Sequence, residues 1–202
     1  GLRDSADDPA GTGIYLGDGF DTLDVAETGD VNGDWRIVGL TFAGGQDVGG
    51  RAGVNDLGQV AYQALEQNEF TGESRQSVYV FTPDLEWREG FDLQNPDPDG
   101  AWDDSENWTL NLDPAAVHDV AIHTLEGATV EGPTDNVTVK SLYLNNQFGS
   151  TNLLNLKHDA TLTVNEDLVV GSRGEITHMK GALIAGTFTN DGLYLQNGAS
   201  AL

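Results

Sequence analysis

The chain predicts an all-β fold in two parts. The first is an antiparallel β-repeat module, propeller-blade-like or sandwich, and the second is a right-handed parallel β-helix, or β-solenoid. Three observations predict this. Gly, Asn and Asp break the sequence almost every ten residues, and the stretches between them are rich in Val, Thr, Leu, Ile and Tyr, as expected of short strands joined by turns. Glycine accounts for 26 of 202 residues, well above the usual ~7%. In the second half aliphatic residues return about every 20 positions, close to one coil of a solenoid.

The elements follow in order. Residues 1–90 hold the antiparallel module. Its strands are expected in "GIYLG", "WRIVGLTFAG" (35–44), "QVAYQALE" (59–66) and "SVYVFTP" (77–83). The stretch 59–70 has a weak helical rhythm but reads better as a strand from Val60 to Leu65 and then a polar turn. Asn55 and Gly58 suit the turn "NDLG" because both residue types tolerate positive φ. Ile14-Tyr15-Leu16 aligns with Val78-Tyr79-Val80, 64 positions on, so the module reads as one unit and the start of another.

Residues 91–108, "FDLQNPDPDGAWDDSENW", read as an acidic linker, in which Pro96 and Pro98 fix φ and remove donors. Residues 109–202 then read as a solenoid of about four coils. Ile122, Leu142, Leu162, Leu183 and Leu202 recur at steps of 20, 20, 21 and 19, and each coil would stack its aliphatic residues on those of the next at the ~4.8 Å strand spacing. "ATLTVNEDL" puts Leu162 and Val164 inside and Thr161 and Thr163 outside. The rhythm runs to Leu202 without a polar capping coil. Such an end exposes strand edges, and is expected to be covered by more chain, another subunit or another domain.

Composition excludes several functions. The formal charge is −24, from 33 acidic and 9 basic side chains. Nucleic acid and anionic membranes both select basic surfaces, so neither is an expected partner. No run of about 18 apolar residues is present to insert into a membrane. The absence of cysteine excludes disulfides and thiol chemistry. The start, "GLRDSADD", reads as a processed or truncated end.

Two resemblances are carried by quoted motifs. "GIYLGDG", "LDVAETGD", "GVNDLGQVAYQA" and "SVYVFTP", within residues 12–90, resemble tandem repeats of large exported bacterial proteins of the planctomycete type, with an Asn-x-x-Gly-x-Val-Ala-aromatic core. "AWDDSENWTLNLDP" is similar to the opening of solenoid regions in autotransporter-like surface proteins. The resemblances imply β-rich repeat architecture and an extracellular or cell-surface location in a bacterium, and no reaction.

Candidate chemistry is sparse. Asp30, Asn32 and Asp34 occupy positions 1, 3 and 5 of a calcium loop, but Trp35 and Thr41 stand where position 6 wants Gly and position 12 an acid. An acidic hairpin turn is the plainer reading. Asp97, Asp99 and Asp103, with Asp104 and Glu106, gather hard oxygen ligands that suit Ca²⁺ at a hinge, or a solvated linker. His158 and His178 are 20 apart and would stack as a ladder or a metal pair. "NWT" and "NVT" match the glycosylation acceptor pattern. No paired carboxylates recur at coil spacing, and no Ser-His-Asp order, phosphate loop or dinucleotide fingerprint occurs.

The sequence therefore predicts a non-enzymatic structural protein that self-assembles into a homo-oligomer, fibre or surface layer, with calcium as its possible cofactor. The alternative is a carbohydrate-binding or adhesive module that uses Trp35, Trp87, Trp102 and Trp108 on a polysaccharide, although Trp102 and Trp108 read more readily as packing plugs where the two parts meet. A β-helix lyase or hydrolase ranks behind both.

Overall fold

Strict alternation from residue 60 to 66 dictates one strand of a half-buried sheet. Val60, Ala64 and Glu66 are buried, while Ala61, Gln63 and Leu65 are exposed. The computed structural model describes residues 12–19, 22–42, 54–88, 99–146 and 149–197. It divides into two units, Gly1–Pro83 and Asp84–Leu202, so the solenoid begins before the linker boundaries expected at 91 and 108.

In the first unit, β1 (Gly13–Gly17) and β2 (Thr22–Glu27) form an antiparallel pair. Strands β3 (Val31–Asn32), β4 (Trp35–Phe42), β5 (Val60–Asn68) and β6 (Ser74–Phe81) form a four-stranded antiparallel meander in chain order. Ile14–Leu16 thus lies in one hairpin and Val78–Val80 at the edge of another sheet, so the two aligned segments occupy different positions. Gly58 adopts the positive φ expected of it, +70°. Asn55 works differently: its side-chain oxygen accepts from the Leu57 and Gln59 amides at 3.0 and 2.9 Å, making an Asx turn.

Among the apolar residues buried in this sheet, Ile37, Val60 and Ala64, lies one buried carboxylate, Glu66. The Glu66 carboxylate takes Arg75 Nε at 2.8 Å, Ser77 Oγ at 2.5 Å and Tyr79 OH at 2.7 Å. The Arg75 guanidinium also lies 4.0 Å over the Trp35 ring. Hydrogen bonds from Arg75 above all, then from Ser77 and Tyr79, outweigh the burial that opposes ionisation and hold the Glu66 carboxyl near 2.

The second unit is a parallel β-solenoid of about three turns, where the sequence predicts about four coils. One sheet stacks β8 (Gly100–Ala101), β10 (Thr129–Glu131), β13 (Asn152–Leu156), β15 (Gly174–His178) and β17 (Leu193–Gln196). The facing sheet stacks β7 (Leu85–Glu86), β9 (Asp119–Ile122), β12 (Ser141–Leu144), β14 (Thr161–Val170) and β16 (Ala182–Asn190), with β11 (Val137–Val139) beside β14. Inward residues alternate with outward ones along β9, β12, β13 and β15, and Val130, Leu144, Leu154, Val170 and Ile176 are fully buried. Each such aliphatic side chain contributes roughly 1.5–3 kcal/mol by leaving water.

The stacking register differs from the expected column. Leu142 lies over Val120 and under Leu168, whereas Leu162 pairs with Val137 and Leu183. These leucines share a sheet but form two columns. The reason is β14: its ten residues carry an irregularity between Val164 and Asp167 and cover β11 and β12 side by side. Successive steps in one column, Val120 to Leu142 to Leu168 to Phe188, are 22, 26 and 20 residues. Turns absorb the variation because they lie outside the packed rows.

Candidate functional site

The first and last described rungs of the solenoid are finished differently. At the start, Trp87 and Trp102 pack edge-on against Trp108 at centroid distances of 4.9 and 5.0 Å. All three are buried, and Trp108 Nε1 donates to the Trp102 carbonyl at 2.8 Å. Two short 3₁₀ turns, Ser105–Asn107 and Thr109–Asn111, complete this plug, with Leu110 and Asn111 at positive φ. The expected sugar platform is therefore corrected: these three indoles form the core of the plug, and their faces are unavailable to a ligand.

The final rung has no such cover among the described residues. Leu183, Ala185, Phe188 and Tyr194 continue the inward positions of Leu162, Val164, Leu168 and Ile176. Leu183, Ala185 and Tyr194 are only partly buried, and Phe188 is 47% exposed. Phe188 packs edge-on to Tyr194 at 5.8 Å. Strand β16 pairs only with β14, and β17 only with β15, so among the described residues each is the last strand of its sheet. A second edge is β6, the last strand of the meander. Its outward face shows Val78 and Val80 at 75% and 64% exposure, beside half-exposed Leu65. Long apolar edges of this kind are templates for strand addition.

The proposed calcium ligands are placed as follows. Asn32 pairs with Trp35 across the β3–β4 turn, where Gly33 has φ +62°. Asp30 Oδ2 accepts the Glu27 amide at 2.8 Å, and Asp34 is exposed in the turn, its carbonyl accepting from the Glu69 amide at 3.0 Å. The carboxylate of Asp99 accepts the Thr129 amide. Asp103 accepts both the amide and the hydroxyl of Thr134, at 2.8 and 2.7 Å. Asp104 caps the first 3₁₀ turn through the Glu106 amide. Asp99 and Asp103 fasten the segment after residue 98 onto the next coil, which is why it is structure rather than linker. Asp97, Pro96 and Pro98 lie outside the described residues. Among the described residues no group of three or more His, Asp or Glu side chains converges as a metal site would require.

The histidine ladder does not form. His178 pairs in register with Leu156, two positions before His158. Instead His178 Nδ1 meets Tyr194 OH at 2.7 Å, and buried His118 accepts the Ala115 amide through Nδ1 at 3.0 Å. A depression of about 200 Å³, lined by Ala121, His123, Tyr143, Asn145 and Asn146, is smaller than the ~300–1,000 Å³ of ordinary ligand pockets. The Asn145 amide there is committed to Tyr143 OH and to the Arg173 amide. At Asp119 burial opposes ionisation, but hydrogen bonds from Lys140 and Ser141 prevail and bring the carboxyl below its ordinary value. A carboxylate held ionised in this way, like Glu66, is a poor proton shuttle near neutral pH.

The apolar positions of β16 continue the aliphatic rhythm of Leu162, Val164 and Leu168, whereas the β6 edge shows in the sequence only as Val78 and Val80 alternating with Ser77 and Tyr79. Fold and edges together define an all-β chain that joins an antiparallel module to a parallel solenoid. Comparison with known families, characterised proteins and solved structures finds no match to this chain.

Proposed function

We propose that this chain is a non-enzymatic structural subunit, built into a fibre, layer or matrix on the outside of a bacterial cell through its exposed β edges. The observation that carries this reading is the exposed apolar strand β6, the last of its sheet among the described residues, with Val78 and Val80 at 75% and 64% exposure. The ionised, hydrogen-bonded state of Glu66 and Asp119 and the small size of the depression at Tyr143 support a structural role over a catalytic one. Calcium enters this reading as a counter-ion for the −24 charge that lets like-charged copies approach.

Electron micrographs and light scattering test the proposal directly. The expected outcome is concentration-dependent oligomers or filaments, weakened by chelator at low salt and restored by calcium. A compact monomer in every condition would sink it.

A further inference from the structure

We infer that the depression at Tyr143, on the outer face of the solenoid, is a binding subsite for one neutral sugar ring. Such binding adds a ligand to the structural role proposed above and does not depend on how copies of the chain assemble.

The first observation is shape. Glu86, Ala121 and Tyr143 lie in register on the neighbouring strands β7, β9 and β12. Val120, Ile122, Leu142 and Leu144, which flank Ala121 and Tyr143 along the chain, are buried, so the three registered side chains point outward. Ala121 is the shortest of them, and the strands on its two sides are each ~4.8 Å away. A slot results, with a methyl group as its floor and Tyr143 along one side. His123, Asn145 and Asn146 complete its lining, and its volume is about 200 Å³. That is the liquid volume of about seven water molecules at ~30 Å³ each, room for one sugar ring and not for a long chain.

The second observation is that Tyr143 is set in place. Its hydroxyl accepts from Asn145 Nδ2 at 2.9 Å, and Asn145 Oδ1 accepts the Arg173 amide at 3.1 Å. The Asn145 backbone amide donates to the Ile122 carbonyl at 3.1 Å. Gly171 leaves room for this side chain, since a Cβ there would lie 2.4 Å from Asn145 Cγ. A ring fixed before binding loses little freedom when a ligand arrives.

The third observation is the chemistry offered. Tyr143 remains 41% exposed, an aromatic surface for the C–H face of a pyranose. Its hydroxyl accepts from Asn145 and so keeps its own hydrogen to donate. His123 Nε2 lies 3.8 Å from the Glu86 carboxylate, and both side chains reach solvent. Together they offer hydrogen-bond partners to adjacent sugar hydroxyls. A few polar groups converging over an apolar floor are the usual make-up of a small-molecule site. Glu86 and the −24 charge of the chain repel uronates and sulfated sugars, which leaves the neutral hexoses.

The test uses the full chain, isotope-labelled for NMR, with the methyl glycosides of glucose, galactose and mannose as probes and methyl glucuronide as the charged control. At least one neutral glycoside should shift the Ala121, His123 and Tyr143 amides saturably. Its dissociation constant should be about 1–10 mM, the range open to a ligand of about a dozen heavy atoms. The glucuronide should bind at least ~5-fold more weakly. Tyr143→Ala should weaken binding at least ~10-fold. Ala121→Leu fills the floor from the outer face and should abolish the shifts with an unchanged circular dichroism spectrum. Shifts that persist in Ala121→Leu, or a glucuronide that binds as tightly as the neutral glycosides, overturn the proposal. So does the lack of a saturable shift with every neutral glycoside up to about 100 mM. If Tyr143→Ala fails to fold, the Ala121→Leu result decides alone.

Discussion

At the scale of single residues, Glu66 is where chemistry and stability meet. A carboxylate with no exposed surface sits mid-strand, and Arg75, Ser77 and Tyr79 satisfy its oxygens. Its folded value of about 2 lies below the ordinary 4.5. Its contribution is therefore complete above pH 4.5 and is lost as pH falls from there through 2. Urea midpoints followed by amide NMR signals of β5 and β6 should drop across that window, and Glu66→Gln should flatten the drop. At neutral pH the same variant should destabilise the sheet by about 1–3 kcal/mol, because it loses charge-assisted bonds. Trp108 is the corresponding residue of the solenoid. Fully buried between Trp87 and Trp102, it should cost about 3–5 kcal/mol on truncation to Ala, read as a lower melting temperature. Sequence alone marked Trp102 and Trp108 as packing plugs. It gave no hint of Glu66, whose partners are brought together by the pairing of β5 with β6.

At the scale of elements, the corners of the coils decide where strands stop. Asn152 opens β13 with a buried amide. Its oxygen accepts Thr124 Oγ1 at 2.7 Å and the Ala128 amide at 2.8 Å, and its nitrogen donates to the carbonyls of Ile122 and Asn145. Asn152→Ala strands those groups in a dry interior and should cost at least about 2 kcal/mol in a urea titration. Gly181, at φ +71°, precedes β16, and a Cβ there would sit 2.0 Å from the Ala160 carbonyl oxygen. Gly181→Ala should therefore loosen the last rung, seen as faster amide exchange in β16 than in β12. The β6 edge makes a separate prediction. Val78→Glu should weaken assembly through this edge, measured by light scattering as a smaller mean mass at equal concentration.

At the scale of the whole molecule, charge governs association. With a net −24, self-repulsion opposes every contact between copies and is screened with a Debye length near 10 Å at 0.1 M salt. Association should therefore tighten as sodium chloride rises from about 20 to 500 mM, the reverse of a contact held by opposite charges. An assembly that dissolves as salt rises would contradict a neutral interface.

The sequence by itself determined the all-β class and the two-part order. It also determined that aliphatic rows stack in a solenoid, because alternation and recurrence are local properties that survive any tertiary arrangement. It placed the turn at Gly58 for the same reason. Only the tertiary structure decided the register, setting Leu142 on Val120 instead of Ile122, because coils of unequal length hide their extra residues in turns. It also decided that Asp99 and Asp103 fasten one coil to the next, since a carboxylate's partner lies about 30 positions away and no spacing rule connects them. The plug of Trp87, Trp102 and Trp108 has the same origin: which apolar side chains are covered depends on what lies above them in space.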